Sequence, residues 1–189
     1  MPRRIPRVVA AGFHHVTSRG NNRRRVFLDD GDREMFFAIL RRVLGRLWWA
    51  CHSYCLMTNH FHLLIETQDE SLSAGMQRLN GEYAQSFNRR HGSVGHLFQD
   101  RFFSVMVEDE AHGLEVIRYI ANNPVEAGLC RDPEDWLWSS HAAALGRRRA
   151  PDFLTSSWVL GQFGEDPEIA RARLREFVRD RDPLRGPTL

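Results

Sequence analysis

From Gly12 to Arg19 the run GFHHVTSR is rich in aromatic and β-branched residues and ends at Gly20-Asn21-Asn22, a strand followed by a turn signal. Next comes an apolar stripe at Phe36, Leu40, Val43 and Leu47, whose spacing predicts a helix capped by Asp30 or Asp32. Trp48 to Met57 reads as a second strand. Met57-Thr58-Asn59 then makes a tight turn into a third, His60 to Thr67, closing a hairpin. Ser71 or Ser73 caps a long helix with Met76, Leu79, Tyr83 and Phe87 on one stripe, and Gly92 follows its end. After a loop from Gly92 to Arg101, a fourth strand is expected over Phe102 to Glu108. Asp109 opens a third helix that packs through Leu114, Ile117, Ile120 and Ala121 and stops near Asn123, because Pro124 follows. Beyond Gly128 the signals weaken to a turn with Trp136 and Trp138, the basic cluster Arg147 to Arg149, and a helix from Pro167 to Arg179.

The order β-α-β-β-α-β-α is that of a ferredoxin-like split βαβ sandwich, an α+β fold with one antiparallel sheet. Two helices cover one face; the other is left open for the third helix, and a site can be built there. The expected division is a catalytic domain over residues 1–150, with an Arg-rich N-terminal arm, and a helical extension over 151–189.

Composition narrows the class of protein. No stretch approaches the roughly 20 apolar residues of a membrane helix, and the N-terminus lacks the apolar segment of a secretory signal, so a cytoplasmic protein with no membrane partner is expected. Cys51, Cys55 and Cys130 form no CxxC pair and suggest neither a disulfide framework nor a zinc ribbon. Every basic residue is Arg. Seven of them (Arg3, Arg4, Arg7, Arg19, Arg23, Arg24 and Arg25) fall before Val26 with no acid among them, a local footprint for a polyanion that the net charge of +2 conceals.

His60-Phe61-His62 lies on a strand, where alternate side chains share a face. Both imidazoles therefore point one way while Phe61, Leu63 and Ile65 point into the core. Two imidazoles on one face can chelate a divalent metal, although the HxH pattern alone more often belongs to surface or core histidines. The third helix offers Tyr119 and Asn123 one turn apart near its end. Of the three tyrosines, Tyr83 falls on an apolar stripe and Tyr54 lies mid-strand, which leaves Tyr119 as the candidate nucleophile. A phenol ordinarily ionises near pH 10, so its attack at neutral pH needs a nearby cation or base. Asn123 suits either a third, oxygen-donating ligand or a cap before Pro124.

Four motifs in order, SRGNN on the first strand, MTNHFHLLI on the third, GHLFQDRF before the fourth and RYIANNPVEAGL on the last helix, resemble the IS200-like tyrosine transposases, and most nearly the REP-associated branch. The likeness runs from about Phe13 to Leu145. It implies an HUH endonuclease fold, a Mg or Mn ion on His60 and His62 with Asn123 at the position of the polar third ligand, and Tyr119 as the residue that cleaves and rejoins single-stranded DNA. In such enzymes the tyrosine joins the 5′ phosphate and frees a 3′ hydroxyl, so no nucleotide cofactor is needed. Members of this branch act on palindromic repeats folded as hairpins, some as dimers and some as monomers.

Arg19, Asn21, Asn22, Arg23 and Arg101 are the candidate DNA contacts, arginine being suited to backbone phosphates. His96 and Phe98 could stack on unpaired bases or, for Phe98, pack in the core. Two other readings compete with the transesterase: an inactive DNA or RNA hairpin-binding protein, and a metal-dependent phosphodiesterase that uses water.

Overall fold

The computed structural model describes residues 9–180, so Arg3, Arg4 and Arg7 of the proposed arm lie outside the described residues. Strand β1 (Gly12–Arg19) leads through the helix α1 (Asp30–Leu47) to the hairpin β2 (Ala50–Leu56) and β3 (His60–Thr67). Helix α2 (Leu72–His91), strand β4 (Phe103–Met106) and helix α3 (Glu110–Glu126) follow. The strand order is β2-β3-β1-β4 with every pairing antiparallel, the split βαβ sandwich that the element order implied.

Several boundaries move for local reasons. Asp29, not Asp30 or Asp32, caps α1, its carboxylate accepting the Asp32 N–H at 3.0 Å. Asp32 is instead fully buried and accepts the Leu28 N–H at 2.8 Å, together with Arg90 and His91 from the end of α2. Trp48 adopts the left-handed conformation that ends α1, so β2 starts two residues later than its apolar run. Ser71 precedes α2 but forms no side-chain cap.

Helix α3 does not stop before Pro124. It continues to Glu126 with the proline inside its last turn, where the missing N–H costs only one helical bond, and the Ala127 N–H closes the end on Asn123. Asn123 is therefore not a cap, and its side chain is left for another purpose.

The two faces of the sheet bury different partners. Val16, Tyr54, Phe61, Leu63 and Ile65 meet Phe36, Leu40, Met76, Leu79 and Tyr83 of α1 and α2 in the larger core. On the opposite face Cys55 and Leu64 meet Val116, Ile117, Ile120 and Ala121 of α3. Helix α3 packs mainly on β2 and β3, so the β1–β4 half of that face is less covered.

The chain beyond α3 holds that helix from behind. After the short helices α4 (His141–Ala144) and α5 (Ser157–Gly161), α6 (Pro167–Arg179) adds Ala170, Leu174 and Val178 to the buried surface around α3. Asn122 Nδ2 donates to the Val178 carbonyl at 2.9 Å, and the Arg118 guanidinium donates to the Asp180 carbonyl while lying over the Phe177 ring. Among the described residues no helix is long and apolar enough to cross a membrane.

Candidate active site

Register explains how three strands and a helix converge. Thr17 on β1 pairs with His62 on β3 and with Phe103 on β4, so these three side chains and His15 share the face that α3 crosses. Both imidazoles of the HxH pattern lie on this face and outside the larger core. His62 is almost fully buried there, whereas His60 is half-buried at the strand's start. Tyr119 sits edge-on to the His62 ring at 5.3 Å and to the His15 ring at 5.8 Å. Its neighbour one turn on, Asn123, places Oδ1 3.2 Å from His60 Nε2.

A hydrogen bond selects the His60 tautomer. Asn59 Nδ2 donates to the Arg23 carbonyl at 3.1 Å, which fixes that amide and turns its Oδ1 toward His60 Nδ1 at 2.7 Å. His60 Nδ1–H is then the donor, and the Nε2 lone pair faces Asn123. For His62, Nδ1 lies 2.9 Å from His15 Nε2 and 3.1 Å from Thr17 Oγ1, while its Nε2 is buried without a hydrogen-bond partner. When Nδ1–H donates to one of these two groups, the His62 Nε2 lone pair is also free. In these tautomers two imidazole nitrogens and an amide oxygen stand together as electron-pair donors, a set that a divalent cation fits.

Burial also keeps these rings neutral. Desolvation lowers His60 to about 4 and His15 to about 4, and it holds His62 well below the ordinary value, aided by the neighbouring His15, His60 and Arg19. His141, buried beyond the site, is likewise brought to about 4 by desolvation. In the unfolded chain these histidines take up protons near pH 6.5, but in the folded chain only near 4, so stability is present above 6.5 and is lost as pH falls through that window. A urea titration should show at least about 2 kcal/mol less stability at pH 5 than at pH 7, since one pKa unit is worth roughly 1.4 kcal/mol per group. An unchanged midpoint would mean that the buried rings titrate normally.

Beside Tyr119 opens a cavity of about 330 Å³, lined by His15, Thr17, Arg19, His62, Arg101 and Phe103 among others. Arg19 and Arg101 from the sequence reading therefore reach the site. Asn21, Asn22 and Arg23 do not line the cavity. They form the 3-10 turn beside it, tied to the β2–β3 turn by the Gly20 N–H on the Asn59 carbonyl at 2.8 Å. Asn22 and Arg23 both adopt positive φ there, and a Cβ at Gly20 would come within 2.2 Å of the Arg24 carbonyl, so this turn requires its glycine. Phe98 leans on Phe61 and Tyr83 and packs against the larger core, while His96 is exposed and its carbonyl accepts from Arg24.

The family model for IS200-like transposases matches residues 9–123, which span all four strands, the HxH pair, Tyr119 and Asn123. The chain belongs to the IS200-like transposases. Among solved structures, this transposase is similar to a REP-associated tyrosine transposase bound to a REP hairpin, at 18% identity and TM-score 0.64, covering 82% of this chain and 92% of that one. A transposase assignment in Deinococcus radiodurans also matches, at 19% identity and TM-score 0.44, covering 65% of this chain and 97% of that one. The first likeness supports the fold. No curated protein matches the sequence.

Sequence reading missed His15, Thr17, Asn59 and Phe103 in this transposase. The alternation within GFHHVTSR could have placed His15 and Thr17 opposite His62 once β1 was paired with β3, because His14 then falls on the other face, where its ring meets the Ala10 carbonyl at 2.9 Å.

Proposed function

We propose that this IS200-like transposase cleaves and rejoins single-stranded DNA by transesterification, with Tyr119 as the nucleophile. The observation that carries this reading is the phenol's place against His62 in the same molecule, one helical turn from an amide oxygen that faces His60. His60, His62 and Asn123 would hold a divalent ion, Mg or Mn. Bound there, such an ion supplies Lewis-acid polarisation of a non-bridging phosphate oxygen. Tyr119 Oη forms the new bond to phosphorus as the bond to the 3′ oxygen breaks; the phenolic proton is lost and the departing 3′ oxygen ends protonated as a hydroxyl. The 5′ phosphate stays on the tyrosine as a phosphodiester, and reversal by a 3′ hydroxyl rejoins or transfers the strand. Asn59 and the pair His15 and Thr17 act as positioning residues, setting which nitrogen of each imidazole carries the proton.

Arg19 and Arg101 would contact the backbone of the strand in the cavity, and Asn21, Asn22 and Arg23 the DNA beside it. A folded hairpin repeat is the substrate this reading favours, since the solved relative is bound to a REP hairpin. The active chain is either a homodimer or a monomer. Tyr119 beside its own His62 supports action within one chain.

The test uses single-stranded hairpin oligonucleotides, labelled at the 5′ end or at the 3′ end, incubated with Mn or Mg and resolved on a denaturing gel. A covalent band carrying only the 3′-side label is expected. Free fragments without that band would indicate hydrolysis by water, and intact strands that nonetheless bind would indicate a binding protein.

A further inference from the structure

Phe103 is 53% exposed, and it occupies the face of the sheet that carries the histidines. Its exposure follows from the architecture. Helix α3 lies over β2 and β3, and β4 is an edge of the sheet, so this ring stays half exposed. The same ring lines the cavity beside Tyr119, together with Arg19, Gln99, Asp100 and Arg101. An apolar face beside cationic and amide groups is the combination that grips an unpaired nucleotide, with stacking for the base and charge for the phosphate. At about 330 Å³ the space is at the small end of ligand sites and suits a single unit, not a duplex.

We propose that Phe103 is a stacking platform for one unpaired base next to the phosphate that Tyr119 attacks. The inference rests on the transesterase reading for the identity of that phosphate, but its own content is the base contact. Stacking would hold the strand in register, so Phe103 selects which linkage reaches Tyr119. Gln99 and Asp100 supply hydrogen-bonding groups beside the base edge, and so a means of preferring one base over another.

The test measures binding of the full chain to a hairpin oligonucleotide with oligothymidine flanks, by fluorescence anisotropy in EDTA so that no strand is cut. Phe103→Ala is expected to weaken binding about 10-fold or more, Phe103→Trp and Phe103→Tyr to preserve it, and Phe103→Leu to resemble Ala, since bulk without a ring does not stack. An abasic site moved along the flank should weaken wild-type binding at one position and leave Phe103→Ala unaffected there. If Leu binds like Phe, or if the abasic loss is the same in Phe103→Ala at every position, the platform is wrong. Because the ring is half exposed, the Leu variant keeps the test available even where Ala unfolds. If position-specific coupling appears and the wild-type protein forms no covalent band with metal, the transesterase reading fails while the platform stands. A band without coupling overturns the platform alone.

Discussion

Replacing Tyr119 with Phe is expected to remove the covalent protein–DNA product, lowering strand cleavage by about a thousandfold or more while hairpin affinity stays within a few-fold of wild type. The ring of Phe would occupy the same place against His62 and His15, so neither the packing of α3 nor the imidazole cluster should change. Only the Oη is lost, and with it the bond to phosphorus. The measurement is single-turnover cleavage of an end-labelled hairpin at saturating protein, with anisotropy for affinity. Cleavage at an undiminished rate would show that another nucleophile acts, and water would then be the leading candidate.

The second large effect is expected on the imidazoles. His60→Ala should reduce metal-dependent cleavage by at least about a hundredfold and weaken Mn binding in parallel, as read by calorimetry or by the electron paramagnetic resonance of Mn. His60 is half-buried, so this variant should fold; His62→Ala should have the same catalytic effect but also lose stability, because it opens a void beneath Tyr119. Asn59→Ala provides the graded control. It leaves every ligand in place and frees the His60 ring to take the other tautomer, so a loss of about 10- to 100-fold in Mn affinity is expected. Equal Mn affinity in wild type and His60→Ala would place the cation elsewhere.

Strong periodicity made the fold legible. The alternation of HFHLLIET and the stripe of Met76, Leu79, Tyr83 and Phe87 are long enough to specify both element and buried face, and β3 and the stripe of α2 emerge where these patterns lie. Boundaries were less legible, because they depend on single backbone conformations such as the left-handed Trp48, or on tertiary support such as that which carries α3 through Pro124. The site was legible where chemistry sits at a short spacing on one element, as in His60 with His62 and Tyr119 with Asn123. It was not legible where partners meet only through strand pairing: His15 and Thr17 become neighbours of His62 through register, and Phe103 joins them from the edge strand. Of the two readings open for Phe98, base stacking or core packing, the structure has the second, because the GHLFQDRF segment forms a bridge to Gly20 and turns that ring toward Tyr83.

The most direct test of the transesterase is to locate the covalent bond. Wild-type protein would be incubated with a hairpin oligonucleotide and Mn, digested with nuclease and protease, and mapped by tandem mass spectrometry. A phosphonucleotide on the peptide containing Tyr119, absent from Tyr119→Phe, is the expected result. A phosphonucleotide on Tyr54 or on another residue, or complete strand cleavage with no modified peptide, would contradict it.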